Sequence, residues 1–457
     1  MNTQIESKEY LFFDIYSWIE KFGVSFMQNK WKAKQLNFKQ IDWKIPLLVC
    51  IVCFYLAILG NGILKGNKFV QYRGDYLAFW SVGKIANEKG FSEIYNLNYL
   101  QSVQSEGVKS LGFIENIDGP ANPILPVPYF SFFVVPFQLL AKVSLLFGYW
   151  LWTFSNLIVL IGYLAFFFRK TNPVSVTRIA SLYLLSIVMI SYPVFVNFLN
   201  AQVEVFLVVC AGEFIRCAVG KKPLLSGIWL GGLLLKPQLL ILIIPIFLIM
   251  RHWKVLLGFM VSSGTILMTS LFLSGFSGMQ ALINLWTKFS VGMASNFPQA
   301  MINWRMVGIN LNTFTGTSIG WVFTGFGMVL TILAVYSLIK KNPTFGSPQW
   351  VMSMLGIFSA TLAVNWHSHY HMAMVLIPFL IYVSLFQLSS QKFLFSWAVV
   401  TPIALFGIMI VDLFFQVVLR SNSMNYDVLI VTAFSGFILN IVVLISTFKP
   451  SHYQKLS

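Results

Sequence analysis

Runs of roughly 18 to 25 mostly apolar residues recur along most of this chain, and that is the length an α-helix needs to cross about 30 Å of hydrocarbon. An open sheet is excluded, because backbone polar groups in lipid must be satisfied within each segment. Composition agrees: hydrophobic residues are 57% of the chain and charged residues 10%, with a mean hydropathy of +0.75, whereas a soluble domain carries about a quarter charged residues. The sequence therefore predicts an all-α polytopic membrane protein. Most of its 44 Phe and 14 Trp are expected to face lipid or the interface.

The net charge of +16 does not point to nucleic acid. The positive charges lie in short loops between apolar segments, the pattern that marks cytoplasmic turns beside anionic lipid headgroups. Arg169 and Lys170, Lys221 and Lys222, Arg251 and Lys254, Lys340 and Lys341, and Lys392 mark such turns. The four cysteines, Cys50, Cys53, Cys210 and Cys217, all fall inside apolar runs, and no zinc-ligand spacing is present.

Residues 1–44 read as a basic cytoplasmic arm on the inner leaflet, with Trp31 and Trp43 as interfacial anchors. The first sufficiently long apolar run begins at Ile45, which argues against a cleavable signal peptide. A transmembrane domain is expected over 45–447 and a cytoplasmic tail over 448–457. Within the domain, residues 65–120 predict a structured first extracytoplasmic loop with short helices on the membrane, and 274–315 a second extracytoplasmic loop. The basic turns leave a parity problem: 123–168 contains two apolar segments, whereas one crossing is needed to bring Arg169 to the cytoplasm. Either "PYFSFFVVPFQLL" does not span, or Arg169 and Lys170 break the charge rule. At "LLKPQLL", two short segments meet at Lys236 and Pro237, a break tolerated where it is buried in protein or lines a cavity.

Ionisable residues at membrane depth are costly, so each is a functional candidate. Asp75, flanked by Arg73, Tyr76 and Trp80 in "QYRGDYLAFW", suits a general base on a hydroxyl, with a nearby cation holding a phosphate. A local turn after Gly74 is the competing reading. Lys236 fits either phosphate binding or a snorkelling helix end. His367, His369 and His371, three of the five histidines, alternate within "NWHSHYH"; a metal and a phosphate or hydroxyl partner both suit them. Arg305 in "INWRMVGINLN" is the residue type that grips phosphate, or it is simply solvated. Glu204 opens a helix in "NAQVE" and suits that helix's positive end.

These landmarks resemble a known family in their order. Asp75 followed by "YLAFWSVGKIANEKGFSEIYN", the proline-led "PVPYFSFFVVPFQLL" before a Trp-containing helix, "NAQVEVFLV" before a small-residue helix ending in Lys236-Pro237, and "NWHSHYHMAMVLIP" are similar to the polyprenol-phosphate-mannose-dependent mannosyltransferases. These form glycosyltransferase family 87 of the GT-C membrane superfamily. The resemblance spans 70–380, with Ala201 and Glu204 standing where the family usually has Gly and Asn. It implies a GT-C fold with about 11 to 13 transmembrane helices, and inverting transfer of a sugar, mannose first among candidates, at the extracytoplasmic face of the cell membrane. The donor would be a polyprenyl-phosphate-linked sugar and the acceptor a hydroxyl on a lipid or glycan. Asp75 would be the base; Arg73, Lys236, Arg305, His367, His369 and His371 would hold the donor phosphate; and Gln202, Glu204, Tyr76 and Trp80 would line the cavity. No cofactor or metal is required by this reading. A flippase or transporter of lipid-linked saccharides is the alternative, disfavoured by the lack of an internal repeat and by the large first loop.

Overall fold

The computed structural model describes residues 44–64, 74–111, 124–171, 178–291, 297–386, 388, 391–419 and 428–448. Arg73, the basic arm (Lys44 apart) and the C-terminal tail beyond 448 lie outside them. The chain divides into two units, 1–50 and 51–457; the described part of the first is the opening of helix α1 (Lys44–Leu64). Everything below concerns the second.

Every described element is helical. After α1 come α2 (Tyr76–Glu88), α3 (Leu97–Ser110), α4 (Val135–Leu140), α5 (Leu145–Thr171), α6 (Arg178–Ile190), α7 (Tyr192–Leu199) and α8 (Glu204–Val219). Then follow α9 (Pro223–Gly231), α10 (Ile243–Ile249), α11 (Trp253–Val291), α12 (Trp304–Thr315), α13 (Ile319–Lys340), α14 (Pro348–Val364), α15 (Ile377–Leu385), α16 (Gln391–Val417) and α17 (Val428–Ser446). Among the described residues, five helices are long and apolar enough to cross a membrane, and six if the α6–α7 pair, bent by 56°, is one span. Shorter apolar helices of 10–17 residues fill the rest, so the expected crossing count rests on short pieces as well as long ones.

The parity problem has a geometric answer. The 3-10 turn Ser131–Val134 and α4 together make a ten-residue apolar helix, Ser131–Leu140, which rises about 15 to 17 Å and falls short of a bilayer. It serves as a floor for α2 instead. Phe79 stacks on Phe137 at 4.7 Å, and a methyl on Gly83 would overlap the Phe137 carbonyl. Nearly every side chain of α2 from Tyr76 to Ala86 is buried. The described part of the expected first loop, 74–111, is thus a packed helical layer, and Gln104 pins the chain at Leu125 by exchanging two hydrogen bonds with its backbone (2.7 and 3.1 Å).

Small residues let shorter helices approach the long apolar ones closely, as they must where lipid offers no hydrophobic drive to associate. Gly227 and Gly231 of α9 lie against α11, where added methyls would overlap the Val255 carbonyl and the Ser262 hydroxyl. Gly308 of α12 and Gly320 of α13 touch backbone to backbone, and Thr324 Oγ1 donates to the Trp304 carbonyl at 2.9 Å. The stretch 274–315, expected as a loop, is mostly helical where it is described: α11 continues to Val291 past a break at Gly275 (φ 67°, ψ −179°), and α12 follows.

Pro237 shapes the remaining feature. The residue before a proline is driven out of the α region, and Lys236 sits at φ −134°, ψ 80° between two 3-10 turns, Gly232–Leu235 and Pro237–Leu240. The chain climbs through α9, turns at Lys236 and descends through α10, so the lysine stands at the apex of a broken pair.

Candidate functional site

Gly74 takes a left-handed φ of 54° immediately before α2, and Asp75 opens the helix. Its carbonyl accepts from Ala78 N–H at 3.0 Å, but its side chain makes no capping bond. Instead, Asp75 Oδ2 accepts from Gln202 Nε2, 127 residues away. The carboxylate is therefore not consumed by a local turn.

Gln202 is delivered by the sharp connection between α7 and α8. Ala201 there has φ 50° and is buried, its carbonyl accepting from Trp152 Nε1 at 2.9 Å. Two residues on, Glu204 starts α8 with a fully buried side chain, and its backbone N–H reaches Asn197 Oδ1 at 3.3 Å. Glu204 Oε1 pairs with the Lys236 ammonium and lies 2.7 Å from His371 Nδ1. Lys236 and His371 are themselves buried. The Tyr129 hydroxyl is within hydrogen-bonding reach of Lys236 and feels the charges of Glu204 and Asp75. Tyr95 fixes the Tyr129 backbone by donating to its carbonyl at 2.6 Å.

A second group adjoins the first through a ladder of rings. His371 faces His369 at 5.8 Å, and His369 faces His367 at 4.7 Å. Arg305, at the start of α12, lies over the Trp366 ring at 4.4 Å and donates to the Trp366 carbonyl at 3.3 Å; its charge reaches His367. Asn303 caps α12 through Met306 N–H and also donates to the Asn365 carbonyl at 2.8 Å, which ties the arginine's helix to the histidine turn.

The charge states follow from burial. Asp75 is partly exposed yet crowded by protein, and burial raises its carboxyl above the ordinary value; the Gln202 amide and the Lys236 ammonium pull it back down. Burial holds His367 down to about 3 and His369 well below its usual value, so both are neutral at physiological pH. The Tyr129 phenol is pushed up to about 12, again by burial. Positive charge in the site thus comes from Lys236 and Arg305 rather than from these two imidazoles. No group of three or more His, Cys, Asp or Glu among the described residues is arranged to hold a metal ion.

Of the residues singled out from sequence, Asp75, Gln202, Glu204, Lys236 and His371 come together, and His367, His369 and Arg305 adjoin them. Trp80 spends its indole N–H on the Val143 carbonyl at 3.1 Å, and Tyr76 packs edge-on against Tyr149 at 5.9 Å; both are buried in the α2 layer. Tyr129 and Asn197 were not singled out. The signal for Asn197 was present in "NFLNAQVE", a polar residue at a helix end two turns before Glu204.

A partly exposed aspartate oriented by an amide and standing in the field of a buried cation is suited to accept a proton. No curated protein and no solved structure matches the chain. The family model described as glycosyltransferase family 87 matches residues 127–364, a stretch that contains Tyr129, Gln202, Glu204, Lys236 and Arg305 and ends just before the histidine turn. With just over half of its length inside that match, the chain belongs to glycosyltransferase family 87.

Proposed function

We propose that this membrane glycosyltransferase moves a sugar, with mannose the first candidate, from a polyprenyl-phosphate carrier to a hydroxyl of a lipid or glycan acceptor, with inversion. The observation that carries the reading is the placement of Asp75: its carboxylate is oriented by Gln202 and stands within the field of Lys236.

In the reaction, the acceptor oxygen attacks the anomeric carbon as its proton passes to Asp75 Oδ. The bond from that carbon to the phosphate oxygen breaks, leaving a polyprenyl phosphate monoester. Charge grows on the departing phosphate, and fixed cations stabilise it most where water is excluded. Lys236 and Arg305 supply such charge, and His367 and His369, being neutral, supply N–H donors. The ammonium of Lys236 is already matched by Glu204, so it orders the site without making it strongly attractive to any passing anion.

Turnover with a panel of labelled polyprenyl-phosphate sugars and an acceptor lipid extract tests the proposal. Wild type is expected to transfer sugar, and Asp75→Asn to lose more than about a hundredfold, as for a general base. Normal turnover by Asp75→Asn removes the base assignment. Movement of lipid-linked sugar between leaflets without transfer replaces the reading with a flippase.

A further inference from the structure

Glu204 takes no proton and holds no phosphate in the proposed reaction. It is fully buried, and a buried carboxylate survives only when its partners compensate it. One oxygen, Oε1, serves two of them: the Lys236 ammonium and His371 Nδ1. Those partners come from different parts of the fold, Lys236 from the apex of the α9–α10 break and His371 from the 3-10 segment Tyr370–Leu376. Glu204 itself begins α8, two residues after the glutamine that holds Asp75. A single carboxylate therefore ties three separate chain segments together beside the base.

The chemistry of the contact fixes a proton. An ionised carboxylate only accepts, so Nδ1 of His371 must be the donor and carry hydrogen, and in the neutral ring Nε2 is left with its lone pair. We propose that Glu204 is the positioning residue of this site: it locks Lys236 in place and holds His371 in the Nδ1–H tautomer, so that Nε2 is the nitrogen able to take up or return a proton. The proposal rests on the sugar-transfer reading for its effect on turnover, which runs through the Lys236 ammonium beside the departing phosphate, but the tautomer itself does not depend on it.

Magic-angle-spinning NMR of the full chain in lipid, labelled with ¹⁵N-histidine and assigned by His371→Gln, reads the tautomer directly. Wild type is expected to show neutral His371 with Nδ1 protonated. In Glu204→Gln the amide oxygen is expected to stay with the charged Lys236, the stronger partner, and the NH₂ group to turn to His371. Nδ1 then becomes an acceptor and the proton moves to Nε2. Glu204→Gln should lower kcat about a hundredfold or more, with a far smaller change in donor KM, as when a group that orients a histidine is replaced by its amide.

Wild type with Nδ1 unprotonated overturns the proposal. So does a Glu204→Gln protein that keeps the wild-type tautomer, or one that switches tautomer and keeps full kcat. A tautomer that switches as expected in a protein that transfers no sugar from any donor upholds the pairing and removes the transfer reading instead.

Discussion

Asp75 has to be ionised to accept a proton, and its surroundings pull it two ways. Burial and the Glu204 carboxylate disfavour the charged form; the Gln202 amide and the Lys236 ammonium favour it, with burial the largest influence, and the Tyr129 phenol stays neutral beside them. The net direction is upward. Since the base works only when deprotonated, kcat/KM should fall as pH drops through a midpoint above the usual carboxylate range of about 4. Replacing Gln202 with Leu removes a bond to the charged form, so the acid limb should move to still higher pH. A pH profile of both proteins decides this: a limb at the ordinary carboxylate value, or one that moves down in Gln202→Leu, contradicts the assignment.

At the scale of elements, the α7–α8 turn shows how the backbone aims the site. Ala201 holds φ 50°, a region that costs a residue with a Cβ about 1 to 2 kcal/mol, and the turn keeps it because Gln202 and Glu204 must both point inward. The family resemblance places Gly at this position, where no such cost arises. Ala201→Gly should therefore add stability on the order of 1 kcal/mol or less after the flexibility that glycine adds to the unfolded chain, seen as a raised thermal midpoint in detergent, and leave transfer intact. A lowered midpoint shows that the buried methyl matters more than the strain. The same turn marks the limits of reading sequence. Asp75, Lys236 and His371 are legible because ionisable side chains are rare in so apolar a chain, and Pro237 announces the break that carries Lys236. Glu204 read as a partner for its own helix end, because nothing in the local pattern says that a lysine 32 positions later and a histidine 167 positions later will meet it. Tyr129 is one of 17 tyrosines and acquires meaning only when the Pro-rich return is laid against Lys236. The helical content of 274–315 was hidden by Gly275, which reads as a loop and acts as a kink.

At the scale of the whole transmembrane unit, the basic turns and the site lie at opposite ends of the same helices. Lys221 Nζ donates to the Phe345 carbonyl, His252 lies 5.3 Å from the Phe345 ring, and Lys341 sits over Phe448 at 5.2 Å. The turns that carry Lys221 and Lys222, Arg251 and Lys254, and Lys340 and Lys341 are thus gathered together. From there α8 runs 16 residues to Glu204 and α14 runs 17 residues to the histidine turn, about 25 Å in each case. Trp321, at the far end of α13 from Lys340, stacks on Trp366. Because positive charge near spanning helices is retained on the cytoplasmic side, we expect the gathered turns in the cytoplasm and the Asp75 end at the exterior, the side on which the proposed lipid-linked donor would be met. Thr317 and Thr344 are exposed at the two ends. With the four native cysteines replaced, a membrane-impermeant thiol reagent on right-side-out vesicles should label Thr317→Cys at once and Thr344→Cys only after permeabilisation. The opposite pattern would place Asp75 in the cytoplasm, where soluble nucleotide sugars are available, and would leave a polyprenyl-phosphate donor without its rationale.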